Sequence, residues 1–190
     1  MMILGCSAAL GLVLSLASIS VSPPNVMNPS PAATRFVTDP NAAGPLIGST
    51  FAIPLDQPVA AGGKWGDLLG ASAGDRLVII DFFATWCPPC QGETPVLRSF
   101  DRAYRSRGVR IVGIAVNESS DTVASYGLRY ALDYPLLVDA DGALFRAAQA
   151  GGLPTKILLG ADGRVIAVLP RPFTAADGAG LIEPLLVEAP

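Results

Sequence analysis

The chain has 190 residues, 51% of them hydrophobic, with 13 basic and 16 acidic side chains and a net charge of −3. This length predicts one domain of ordinary size, large enough to bury a core without disulfide cross-links. The slightly acidic balance gives no sign of a nucleic-acid-binding surface, so we expect no nucleic-acid partner. With three cysteines and no histidine, a structural zinc site, which needs four ligands, is disfavoured, and we expect no bound metal.

The N-terminal segment, residues 1–21, is apolar and contains no charged side chain. As a helix it would span roughly the 30 Å of a bilayer core, which indicates an export signal or a membrane anchor. The missing positive n-region favours an uncleaved anchor, although Ser18-Ile19-Ser20 is a passable cleavage site; Cys6 is interpreted as a small apolar residue. Residues 22–45 are rich in Pro, Ser and Asn, which predicts a tether, and the folded domain is expected over residues 46–190.

Hydrophobic periodicity and turn signals predict alternating strands and helices within the folded domain. Ser119 or Ser120 is expected to cap one of the helices, and Ala161-Asp162-Gly163 is expected to form a hairpin turn. This order predicts a mixed β-sheet covered by helices on both faces. In chain order the predicted elements are strand 50–59, helical turn 65–69, strand 77–83, helix 88–106, strand 109–116, helix 119–130, strand 136–138, helix 142–149, strand 155–159, strand 164–169 and helix 174–187.

The pentapeptide Trp86-Cys87-Pro88-Pro89-Cys90 carries the clearest chemical signal. It follows an apolar strand and begins a helix, with prolines in the first turn, where a missing N–H breaks no helical hydrogen bond. Two thiols at this spacing can form a small-ring disulfide, and a helix N-terminus lowers the pKa of the first one. The segment therefore has the layout of a reversible dithiol.

The run from Asp81 to Pro95, DFFATWCPPCQGETP, resembles the active-site segment of thioredoxin-fold proteins. The resemblance is closer to the exported, often membrane-anchored branch typified by TlpA, ResA and CcmG. A second segment, Gly151 to Thr155, followed by an apolar strand and a turn, resembles the cis-proline loop and hairpin of that branch. The resemblance covers residues 46–188 and implies an α/β fold: a thioredoxin-like mixed sheet, covered by helices on both faces, with an N-terminal strand extension.

Four residues are interpreted as the catalytic group. Cys87, at the exposed helix end, is the predicted nucleophile that attacks a substrate disulfide, and Cys90, one turn deeper, resolves the mixed disulfide. Asp81 matches the buried acid of thioredoxin and is the candidate acceptor of the Cys90 proton; its alternative is a local cap or hydrogen bond. Glu93 matches an acid of the exported branch and could tune the thiol pair, or be an ordinary first-turn helix acid.

The resemblance also implies a substrate-binding rim. X-Pro bonds are cis in only about 5–6% of cases, so the residues alone favour a trans Leu153–Pro154 bond, and the resemblance alone implies cis. Leu153 would offer its backbone to an extended client, much as a strand is added to a sheet edge. Thr155 and Trp86 would form the rim, although Trp86 could instead be buried packing. Lys156 replaces a residue that is commonly apolar or small in the family, and it is interpreted as altering the rim.

The resemblance implies an extracytoplasmic thiol-disulfide oxidoreductase, with a leaning to a disulfide reductase that serves cytochrome c or copper-site maturation. Implied partners are protein disulfide substrates and a membrane thiol-disulfide electron donor; no cofactor and a monomer are expected. The implied location is the periplasm or the outer face of the cytoplasmic membrane, by anchor or signal peptide. Direction of electron flow stays open, because thiolate stabilisation and not cysteine spacing sets the potential.

Three alternatives remain. A peroxiredoxin-type thiol peroxidase shares the fold, but the residues before Cys87 lack the Pro-x-x-x-Thr/Ser-x-x-Cys loop. A copper chaperone is disfavoured by the absence of histidine. A non-catalytic binding module of the same fold is disfavoured by the intact cysteine pair.

Overall fold

The structure, a computed structural model, describes residues 47–68 and 74–188, which belong to one compact unit. The predicted anchor, the predicted tether and Cys6 lie outside these ranges. Within them, no helix has both the length and the apolar character needed to cross a membrane. The elements in chain order are α1 (Trp65–Leu68), β1 (Leu77–Phe83), α2 (Pro88–Tyr104), a 3₁₀ turn (Arg105–Arg107), β2 (Val109–Val116), α3 (Ser120–Tyr130), β3 (Leu136–Asp139), α4 (Ala143–Ala147), β4 (Thr155–Gly160), β5 (Val165–Leu169), α5 (Ala175–Asp177), a π-helical turn (Gly178–Ile182) and α6 (Glu183–Glu188).

The described strands form one mixed sheet in the order β3-β2-β1-β4-β5. The strands β1, β2 and β3 are parallel, and the β4 and β5 hairpin adds two antiparallel strands beside β1. At the centre, β1 has the sequence LVIIDFF, and all its side chains but that of Val78 are buried. A strand buried on both faces is expected to be continuously apolar, which makes the single aspartate in β1 exceptional.

Each face of the sheet carries its own apolar cluster. Because side chains alternate across a strand, Ile79 and Phe83 of β1 share one face, and they pack with Leu97 of α2. The opposite face packs Ile80 of β1 against Trp65 of α1. Alternation places the fifth residue of β1, Asp81, on the α2 face, beneath the helix that begins at the cysteines.

Most predicted elements are present, and two differ for identifiable reasons. In place of a regular strand over residues 50–59, the chain makes isolated bridges, such as that between Val59 and Leu137 of β3. Pro54 and Pro58 interrupt this segment, and proline has no N–H to donate to a strand ladder. The predicted last helix is broken by a π-helical turn at Gly178, where a Cβ would stand 3.1 Å from the Phe100 ring.

Candidate active site

The two cysteines lie where β1 leads into α2, and a disulfide joins them. Cys87 is the N-cap residue of α2, and its Sγ accepts the backbone N–H of Cys90 at 3.4 Å. The expectation of an exposed Cys87 is wrong, because its side chain is only 4% exposed and that of Cys90 only 1%. The sulfur turns inward onto the first helical turn, and Trp86, Pro88 and Pro89 are exposed around it.

Glu118, just beyond the end of β2, fixes the turn that precedes Cys87. Its carboxylate accepts the backbone N–H of Thr85 at 2.8 Å and also accepts the Thr85 hydroxyl. Gln91 of α2 donates to the Thr85 carbonyl at 2.6 Å. Hydrogen bonds to a carboxylate are among the stronger ones, so Cys87 follows a well-anchored turn. Glu118 was not among the residues expected at the site; the ends of neighbouring parallel strands meet at one edge of a sheet, and this is the signal that could have indicated it.

Beneath the dithiol lies a buried charged cluster made of Asp81, Glu93 and Lys156. The Lys156 ammonium donates to a Glu93 oxygen and lies 3.4 Å from Asp81 Oδ1. The assignment of Lys156 to the rim is wrong, since its side chain is fully buried, held opposite Asp81 by the register of β4 against β1. Glu93 is likewise not a solvated first-turn acid: it is buried in the second turn of α2 and also accepts the Phe173 N–H.

Burial dominates the acidity of both carboxyls. Desolvation raises the pKa of Asp81, opposed by the Lys156 ammonium. Desolvation, and then the charge of Asp81, raise the pKa of Glu93 to about 7, opposed by Lys156 and the Phe173 N–H. Asp81 Oδ1 and Glu93 Oε1 are buried and have no hydrogen-bond partner. The two carboxyls therefore influence each other's protonation, and burial favours the protonated form of each.

The cis-proline loop has the backbone form that the resemblance implied, because the Leu153–Pro154 bond is cis. Leu153 is half-buried and packs against the apolar cluster that contains both cysteines. Thr155 does not form the rim: it is buried, and its hydroxyl donates to the Gly152 carbonyl at 2.7 Å. Trp86 is 67% exposed, which excludes buried packing. Among the described residues, no group of three or more cysteine or acidic side chains is arranged to hold a metal ion.

The AhpC/TSA family profile matches residues 59–168. The thiol-disulfide oxidoreductase ResA of Bacillus subtilis (strain 168) is 32% identical over 110 residues, which are 56% of this chain and 62% of that protein. The match thus spans less than two thirds of the length of this curated relative.

Solved structures show the same fold. A thiol:disulfide interchange protein of the thioredoxin family from Chlorobium tepidum TLS is 30% identical, with 73% of this chain and 98% of that chain covered and a TM-score of 0.55. A secreted thiol-disulfide isomerase from Corynebacterium glutamicum is 26% identical, with 70% and 83% covered and a TM-score of 0.58. The predicted thioredoxin-like architecture is confirmed.

Proposed function

The chain belongs to the AhpC/TSA family and has the thioredoxin fold, and from this we propose that it is a thiol-disulfide oxidoreductase that reduces protein disulfides through Cys87 and Cys90. The observation that carries the proposal is the geometry of the dithiol: a disulfide across the first turn of α2, with buried carboxyls beneath it. This arrangement offers a nucleophile, a resolving thiol and an internal proton acceptor in one place.

The chemistry follows from these positions. In the reduced protein the Cys87 thiolate attacks one sulfur of a client disulfide, forms a mixed disulfide and releases the first client thiolate. Cys90 then loses its proton to the Asp81 and Glu93 pair and attacks Cys87, so the second client thiolate leaves with the electron pair. The client gains two electrons and the dithiol loses two. Exposed Trp86 and the Leu153 backbone would hold an extended client during both steps.

Insulin reduction by the purified full-length chain tests the activity. We expect catalytic turnover with dithiothreitol as electron donor, and two protein thiols oxidised for each client disulfide reduced without the donor. A binding module would show no turnover, and a thiol peroxidase would consume hydrogen peroxide faster than it reduces insulin. The reduction potential of the Cys87–Cys90 pair indicates the direction of electron flow. A value near the roughly −270 mV of thioredoxin supports a reductase, whereas a value near the roughly −120 mV of DsbA contradicts it.

An extracytoplasmic location is also part of the proposal. It is supported by the charge-free segment of residues 1–21 and by the secreted relative from Corynebacterium glutamicum. There the clients would be proteins such as apocytochrome c or copper-site assembly proteins, with a membrane thiol-disulfide protein as donor and the chain acting as a monomer. These client classes are inferred from the resemblance to the exported branch typified by TlpA, ResA and CcmG.

Cell fractionation provides the corresponding prediction. The full chain should sediment with membranes and resist extraction by high salt, because a stretch of about 20 apolar residues partitions into the bilayer. A chain beginning at residue 46 serves as the control and should remain in the supernatant. A mature supernatant form that lacks the first twenty or so residues would show a cleaved export signal instead of an anchor.

A further inference from the structure

Lys156 is one of two lysines in the chain, and its environment differs from that of the other, Lys64. Lys64 is exposed, whereas the Lys156 side chain is fully buried within β4. The residues that follow Lys156 in β4, Ile157, Leu158 and Leu159, are apolar and buried, and a lysine at such a position brings a charge into the core. A buried ammonium is retained only where hydrogen-bond acceptors or counter-charges surround it.

The counter-charges come from two other elements. Asp81 of β1 lies directly opposite Lys156 in the antiparallel register, and Glu93 reaches the ammonium from α2. The backbone carbonyl of Arg171, in the loop after β5, stands 3.4 Å from Lys156 Nζ as a further acceptor. The ammonium therefore joins the central strand, the active-site helix and the loop after the hairpin.

The cluster is also close to the resolving thiol. Glu93 follows Cys90 by three positions in α2, and residues at this spacing share one face of a helix. Both side chains are buried. The neighbouring titratable groups are Tyr126 of α3, whose pKa burial raises to about 12, and Tyr134, whose pKa burial also raises, so both stay neutral at physiological pH.

Charge balance then depends on Lys156. With both carboxyls ionised, the cluster would carry one net negative charge in the interior, which is unfavourable, so one carboxyl holds a proton near neutral pH. Without the ammonium, both Asp81 and Glu93 would favour the protonated form. No carboxylate would then remain to accept a proton from Cys90.

We propose that Lys156 is a positioning residue for the dithiol chemistry: its ammonium keeps one carboxyl of the Asp81 and Glu93 pair ionised beneath Cys90. This inference rests on the proposed oxidoreductase function. In the resolving step the Cys90 S–H bond breaks and its proton moves to that carboxylate. The new bond forms between the Cys90 and Cys87 sulfurs, and the client thiolate leaves with the electrons of the mixed disulfide.

The test compares Lys156→Met with Lys64→Met, which removes the exposed lysine. Each protein is loaded through Cys87 with a thionitrobenzoate mixed disulfide, and release of the coloured thiolate is followed in a single turnover from pH 5 to 9. We expect the inflection of the rate–pH profile to lie at higher pH in K156M than in the wild type. For each pH unit of that shift, the K156M rate at pH 7 should be about tenfold lower. K64M should match the wild-type profile. A K156M profile that coincides with the wild type would overturn the proposal.

A second measurement does not depend on turnover. Infrared titration of the oxidised proteins distinguishes protonated from ionised buried carboxyls, and K156M should hold one more protonated carboxyl at pH 7 than the wild type. Equal carboxyl counts would contradict the role of Lys156, whereas absent insulin reduction by the wild type would contradict the proposed function. Should K156M fail to fold, D81N is compared with the double variant D81N/K156M. Glu93 should then ionise at higher pH in D81N/K156M than in D81N.

Discussion

Cys90→Ser is expected to accumulate mixed disulfides with client proteins, and Cys87→Ser is expected to trap none. Cys87 caps α2 beside exposed Trp86 and is the less buried of the two cysteines, 4% exposed against 1% for Cys90 one turn inside, so we expect a client to reach the Cys87 sulfur first. Without the resolving thiol, the mixed disulfide has no internal route to release. Insulin reduction should fall by at least about a thousandfold in both variants, since each removes a group on which the whole cycle depends.

Trapped species are measured by alkylating cells with a thiol-blocking reagent and comparing non-reducing with reducing gels. The Cys87→Ser/Cys90→Ser double variant is the matched control and should show only monomer. Equal trapping by the two single variants would mean that both sulfurs are accessible, and the assignment of nucleophile and resolving thiol would then be wrong.

Asp81→Asn is expected to make the protein more stable at neutral pH and slower at resolving mixed disulfides. Asparagine occupies nearly the same volume without a carboxyl that must be buried, and it leaves Glu93 and Lys156 as a neutral ion pair. When burial raises the pKa of a carboxyl above its unfolded value, each pKa unit destabilises the folded protein with that carboxyl ionised by about 1.4 kcal/mol. We therefore expect the free energy of unfolding of D81N to be higher by about 1 kcal/mol or more. Removing the Asp81 charge lowers the pKa of Glu93, so the remaining carboxylate is a weaker proton acceptor and resolution should slow by about ten- to a hundredfold.

The stability difference should depend on pH in a defined direction. Because burial raises the pKa of Asp81 above its ordinary value of 3.8, the folded protein binds more protons than the unfolded chain above that pH. The stabilisation that the Asp81 carboxyl gives to the folded protein is complete below pH 3.8. It is lost as the pH rises through the pKa of Asp81 in the folded protein. The advantage of D81N should therefore be small near pH 4 and should grow toward neutral pH. In the wild type, Glu93 contributes a similar loss of stability as the pH rises from 4.5 to about 7.

Urea midpoints from pH 4 to 8 and single-turnover resolution rates measure the two effects together. Asp56→Asn, which changes an exposed aspartate, is the matched control and should leave both quantities unchanged. A D81N protein that is less stable at pH 7, or that resolves mixed disulfides as fast as the wild type, would assign Asp81 a structural hydrogen bond in place of proton transfer.

The central strands were predictable to the residue because their patterns are local. The continuous apolar runs of Leu77–Phe83 and Val109–Val116 predict strands buried on both faces, and the structure has those bounds. The dithiol was predictable for the same reason, since strand, cysteines and helix start are contiguous. The N-cap Ser119 was one of two adjacent candidates, and its hydroxyl accepts the Thr122 N–H.

The partners of the site were not predictable because they come from distant parts of the chain. The burial of Lys156 depends on Glu93, which lies 63 positions earlier, and a lysine two positions after a rim proline is ordinarily expected to be exposed. Glu118 and Thr85 are 33 positions apart and meet only because β1 and β2 are parallel neighbours. Contacts between residues so far apart in the chain cannot be inferred from the hydrophobic periodicity of a single segment.

The loop after β5 supplies its two contacts to the charged cluster from the main chain, through the Arg171 carbonyl and the Phe173 N–H. Main-chain groups are present whatever side chain is attached, so a substitution at either position leaves the contact in place as long as the loop keeps its conformation. Proline at position 173 is the exception, since it has no N–H, and Pro172 already stands next to it. The Phe173 side chain is buried against Phe100, so the residue that gives Glu93 a main-chain contact also anchors the loop in the core.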